Sequence, residues 1–225
     1  MKFLFRTLLV WGLVGSRFVY AQEDKMSILP LYPSLQGTSG GITAPGAYTL
    51  PAGHGYLSIQ ESFVLDSLDR VHLAIGITDR LEAGIRSDIP ALQNPRFSFF
   101  LKFNVFRQDS IFKGFPAISL GMHRQASYIV ASYRWTRVSL SGGYNKTITN
   151  RGPFANLSLQ IVPALTLQAD FSPLGTGIGL RGRYKRLWAS LIFFQPRLEN
   201  QRFEDYFWDV GYRWTSPTAD PPIWK

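Results

Sequence analysis

Cysteine is absent from the 225 residues, which excludes disulfides and thiolate metal sites; it leaves export open, because many secreted chains carry none. Charge is scarce as well. Asp, Glu, Lys and Arg make up 17% of the chain, where about a quarter is usual, too little for an ordinary water-facing surface. Three histidines, His54, His72 and His123, are too few and too scattered for metal-ligand spacing. No GxSxG, HExxH, P-loop or carboxylate pair is found. Past residue 21 no apolar run could make a transmembrane helix, and no amphipathic helical period of any length competes with what is there. Aromatics, by contrast, reach 15%.

The first 21 residues have the layout of a secretory signal. Lys2 and Arg6 flank an apolar run from Leu8 to Val14, and Val19-Tyr20-Ala21 offers a cleavage site after Ala21. That run is shorter than the ~20 residues a helical span needs, and Arg17 interrupts it. Cleavage removes Lys2, Arg6 and Arg17 from a formal net charge of +9. The remaining basic residues are spread along the chain rather than gathered in a stripe, so nucleic acid is not an expected partner. The expected organisation is a signal peptide (1–21), a flexible periplasmic lead (22–40), a Gly/Pro-rich lead-in (41–54), a single barrel (55–214) and an irregular tail (215–225) with Pro217, Pro221 and Pro222.

The mature chain alternates with a period of two. Val71, Leu73, Ile75 and Ile77 alternate with Arg70, His72, Ala74 and Gly76; Phe97, Phe99, Leu101, Phe103 and Val105 oppose Ser98, Lys102 and Asn104; Leu157, Leu159 and Ile161 oppose Asn156, Ser158 and Gln160. About twelve such segments of some nine to eleven residues fit the length that crosses a bilayer at a tilt. The polar face is mostly Gly, Ser, Ala, Asn and Gln, which suits a crowded interior, not a water-facing exterior. Trp135, Tyr144, Tyr184, Tyr206 and Trp214 fall near strand ends, as aromatic girdles do. The expected fold is all-β: an antiparallel up-and-down transmembrane β-barrel in a bacterial outer membrane, apolar face toward lipid. Glu61 falls on the apolar face, which calls for a bulge or a place near an interface. Tight turns at 78–80, 136–137, 163–164 and 185–186 mark the periplasmic end, and longer connections at 88–95, 147–153 and 196–204 the external one. The connection from Gln108 to Gly114 breaks this rule.

By this register the lumen holds Arg70, Arg86, Lys102, Arg134, Arg181, Arg183 and Arg213 against Glu82, Asp170 and Asp209. Two readings stay open: a narrow passage favouring anions, or a plugged interior in which these charges pair.

Gly41-Ile42-Thr43-Ala44-Pro45-Gly46-Ala47-Tyr48-Thr49-Leu50-Pro51-Ala52-Gly53 precedes the first strand. Gly41, Gly53, Pro45 and Pro51 permit bends and remove donors, and Ala47 and Leu50 demand little space, so the segment could fold back at the periplasmic mouth or tuck into the lumen. This stretch resembles the opening of the YjbH-like exopolysaccharide-associated outer-membrane barrels. Gly76-Ile77-Thr78-Asp79-Arg80-Leu81-Glu82-Ala83-Gly84, Phe115-Pro116-Ala117-Ile118-Ser119-Leu120-Gly121 and Tyr128-Ile129-Val130-Ala131-Ser132-Tyr133-Arg134-Trp135 follow in the family's order. The likeness runs from about Gly41 to Phe171 and implies a non-enzymatic barrel serving polysaccharide export or envelope organisation. Its implied partners are outer-membrane lipid, the barrel-insertion machinery, export components and anionic polysaccharide, with no cofactor and no metal. The alternative is a lipid-modifying barrel enzyme, an acyl hydrolase or transferase, for which His72 and His123, the latter with Ser119 two inward positions away, are the available groups.

Overall fold

The computed structural model describes residues 32–33, 39–40, 45–62, 69–89, 96–123, 126–146, 151–173, 175–196 and 205–214. The expected signal peptide, Gly41 and the tail after Trp214 lie outside the described residues.

Twelve strands make the body: β1 (Gly55–Ser62), β2 (Asp69–Thr78), β3 (Leu81–Ile89), β4 (Arg96–Phe106), β5 (Ala117–His123), β6 (Ala126–Arg134), β7 (Val138–Lys146), β8 (Arg151–Val162), β9 (Leu165–Ser172), β10 (Gly175–Tyr184), β11 (Leu187–Pro196) and β12 (Asp205–Trp214). Each pairs antiparallel with its neighbours in sequence, and β12 returns to β1, from Phe207 opposite Ser62 to Trp214 opposite Gly55. The sheet is therefore a closed up-and-down barrel. Closure pairs backbone groups that an open edge would leave bare. Among the described residues no helix is long and apolar enough to cross a membrane.

The alternation read from the sequence sorts side chains to the two faces. Leu57, Ile59, Leu73, Ile75, Phe97, Phe99, Ile178 and Leu191 point outward and are 42% to 69% exposed, while Ser58, Gln60, Ser98, Asn104, Ser141 and Gln168 point inward and are buried. This is the reverse of a water-soluble barrel, whose greasy residues fill the inside.

Register shifts occur at Gly76/Thr78 and Gln160/Val162, beside tight turns, and at Asn104/Phe106, beside the long connection between β4 and β5. The last corrects the alternation. It adds a residue to β4, so Phe106 takes the exposed outward place and Val105 is half-buried. Glu61 needs no bulge, since both pairings of β1 run without a shift; it stands opposite Trp208, next to the last residue of the strand. The long connection between β4 and β5 is an ordered elaboration of a turn. Asp109 adopts a left-handed φ of 59°, donates its amide to the Phe115 carbonyl at 2.9 Å and accepts the Gly114 amide at 2.6 Å.

Inside the barrel, large rings lie over glycines on the neighbouring strand. Phe100 stands directly opposite Gly84, Tyr128 opposite Gly121, Phe154 opposite Gly143 and Trp188 opposite Gly211. A Cβ at Gly211 would sit 2.1 Å from the Trp188 ring, and one at Gly121 would sit 2.1 Å from Tyr128. Alternating large and small residues in this way fills a narrow taper without voids. Gly211→Val is therefore expected to push Trp188 off its rotamer and cost about 1–3 kcal/mol. Gly142→Ala is the control, because a Cβ there meets only the Phe154 carbonyl oxygen at 3.9 Å. Denaturant unfolding followed by tryptophan fluorescence should separate the two; equal stability would contradict the packing argument.

Candidate functional site in the barrel lumen

Residues 45–54 run inside the barrel at the tight-turn end. Pro45, Gly46, Ala47 and Leu50 are buried, and Pro51 and Gly53 are half-buried. Such a segment forms no ladder of its own, so its backbone donors and acceptors need partners from the wall. They find them. The Ala47 amide donates to Ser132 Oγ at 2.8 Å, and its carbonyl accepts from Asn104 Nδ2 at 2.9 Å and from Ser119 Oγ. Lys102 Nζ donates to the Tyr48 carbonyl at 2.7 Å. The Leu50 amide donates to Glu82 Oε2 at 3.0 Å, and the Ala52 amide to Asp79 Oδ1 at 3.1 Å. The segment tucks into the lumen; it does not fold back outside it.

Two glycines allow the path. Gly53, at φ 72°, turns the chain toward β1, a conformation that L side chains resist. Gly76 on β2 lets the segment pass against the wall, exchanging hydrogen bonds of 2.8 Å with Gly53 and His54. A Cβ at Gly76 would lie 2.1 Å from the Pro51 carbonyl oxygen.

The inward charges fall into distinct groups. Lys102 and Glu82 form an ion pair at 3.3 Å with both side chains fully buried. Arg181 and Asp209 pair at 3.5 Å deep in the opposite wall, where Arg181 Nε donates to Ser190 Oγ at 2.6 Å and Trp188 Nε1 to Asp209 Oδ2 at 3.1 Å. Arg70 reaches Gln60 at 3.4 Å and lies over the Phe207 ring. Arg86 is half-buried opposite His72, and Asp170 is buried opposite Asn156. Arg183 and Arg213 are half-buried at the tight-turn end, opposite Trp188 and Tyr56. Among the described residues Arg134 meets no carboxylate; its guanidinium sits 4.2 Å from the centroid of the Tyr48 ring.

Tyr48 and Gln108 went unnoticed in the sequence, because nothing in their spacing marks them. The Tyr48 hydroxyl donates to Gln108 Oε1, and Gln108 also accepts the Arg134 amide at 2.8 Å and donates to the Arg134 carbonyl at 2.9 Å. Burial pushes the Tyr48 phenol up to about 12, against the opposing pull of Arg134, so it remains a neutral donor. Beside this brace a cavity of about 30 Å³ is left between the lead-in and the wall of β6 to β9. Arg134, Asn156, Thr166, Gln168 and three serines line it alongside Gly40, Gly46 and Tyr48, and it has enough space for ordered water.

The histidines are separated. His54 is buried with Nδ1 at 3.2 Å from the Ala52 carbonyl. His72 is buried, and neither ring nitrogen meets a hydrogen-bond partner. Ser119, placed near His123 by the sequence, is committed to Ala47 instead; His123 Nε2 meets Ser98 Oγ at 3.5 Å. Among the described residues no cluster of His, Asp and Glu could hold a metal ion. No protein-family model matches the chain, and no curated protein matches it in sequence.

Proposed function

We propose that the chain is a non-enzymatic outer-membrane β-barrel whose own N-terminal lead-in plugs the periplasmic half of the lumen, leaving a narrow, anion-favouring path. The supporting observation is the exposed belt of Leu, Ile and Phe around a closed barrel whose buried face is polar. Water would not tolerate so large an apolar surface on a monomer, whereas acyl chains would. The tight turns and the lead-in share one end, which in an outer-membrane barrel faces the periplasm. A role in polysaccharide export or envelope organisation rests on the resemblance to the YjbH-like barrels.

Leu191→Arg tests the membrane reading. Leu191 is 56% exposed in the middle of β11, so in water the change is close to neutral, while at the bilayer midplane it costs about 2–4 kcal/mol. Urea unfolding from lipid vesicles is expected to show that loss. Recovery of both proteins folded in osmotic-shock fluid without detergent would overturn the proposal. Loss of secreted polymer on deletion of the gene would support export, and unchanged polymer would remove that role.

A further inference from the structure

The described lumen contains two buried ion pairs, Lys102–Glu82 and Arg181–Asp209. Arg134 is different. Among the described residues its side chain reaches the Tyr48 ring, and its Nε is buried without a hydrogen-bond partner. A guanidinium stacked by its face on an aromatic ring still carries its N–H donors in the plane of the group, so the edge remains open for a planar acceptor.

Arg134 lines the cavity together with Tyr48, Ser139, Asn156 and Thr166. Asn156 is 5% exposed, and its Nδ2 is likewise buried without a partner. Ser139 and Thr166 add hydroxyls that can donate. No carboxylate belongs to the lining. One cation, an unpartnered buried amide donor and two hydroxyl-bearing residues therefore surround a single small cavity. A cation held this way is costly unless an opposite charge joins it.

We infer that Arg134 and Asn156 form a binding site for one small oxyanion, a carboxylate or phosphate group, in the cavity between the lead-in and the β6–β9 wall. Arg134 binds its oxygens in bidentate fashion and Asn156 Nδ2 supplies a further donor. The Tyr48 ring holds the guanidinium, and Gln108 fixes both the Tyr48 hydroxyl and the Arg134 backbone. The site depends on the seating of the lead-in and not on where the barrel resides.

The test is a titration of the full mature chain, labelled with ¹⁵N-arginine in detergent micelles, with sodium phosphate and separately with sodium acetate, at constant ionic strength against chloride. The Arg134 Nε–Hε resonance is assigned by its disappearance in Arg134→Lys. A saturable shift of that resonance is expected, with the stronger of the two anions naming the class of ligand. Asn156→Ala should weaken binding by about tenfold or more, the factor for one hydrogen bond to a charged group, while the resonances of arginines away from the cavity, such as Arg181, stay in place. If neither anion moves the resonance, if every arginine shifts alike, or if Asn156→Ala binds as tightly as the parent, the site does not exist as described.

Discussion

A mature chain lacking residues 22–53 is expected to form the same barrel and to conduct at least about tenfold better than the intact chain in a planar bilayer, because twelve strands lie between the filled eight-stranded and the open sixteen-stranded barrels. Among the described residues, none of those deleted belongs to a barrel strand. The wall groups that would lose partners include Ser119, Asn104, Ser132, Lys102, Glu82 and Asp79, all of which water can solvate once the lumen is open. Gly76→Val should act in the same direction by a subtler route. The new Cβ would lie 2.1 Å from the Pro51 carbonyl oxygen and 2.4 Å from that of Leu50, so the lead-in must lift off β2 while the strand pairing survives. Heat-modified gel migration would report the barrel and single-channel recording the path. Unchanged conductance in both variants would mean that wall side chains such as Tyr56 and Trp188, packed edge to face at 6.1 Å, already block the passage.

The second large effect is expected at Glu82. Replacing it with Ala leaves the Lys102 ammonium fully buried without its counter-charge and removes the acceptor for the Leu50 amide. Breaking a buried pair from one side costs about 3–5 kcal/mol, more than the pair itself contributes over an apolar substitute. Glu82→Leu combined with Lys102→Met should therefore be the milder change, although it carries two substitutions. Denaturant midpoints of the three proteins, refolded into the same vesicles, give the comparison. A single variant as stable as the parent would show that water reaches Lys102 from the lumen and that the pair is not sealed.

The barrel could be read from the sequence because its signal is local and repeated: each strand alternates, and the inward residues named from it, from Arg70 on β2 to Arg213 on β12, all take the inner face. The register slip at Asn104 to Phe106 was not visible, since a bulge changes the count by one residue without changing composition. Charge pairing was legible only as two open readings. Lys102 with Glu82 lies across one strand pair, but Arg181 with Asp209 reaches over β11, a distance that spacing along the chain cannot express. The path of the lead-in stayed open between two readings for a different reason. Its backbone is held by side chains of β3 to β6, among them Glu82, Asn104, Ser119 and Ser132, and backbone groups carry no mark in the sequence. Arg134 was grouped with the other cations; that it would stack on Tyr48 depended on where the lead-in came to rest.

The lead-in continues directly into β1 at Gly55. Its release and return are thus unimolecular events: a displaced lead-in stays tethered at an effective concentration on the order of millimolar. Reclosure after a voltage pulse or a transient pull should follow first-order kinetics that do not depend on how much protein the membrane holds. The same segment added back in trans, as a free peptide, would have to reach that concentration before it could compete.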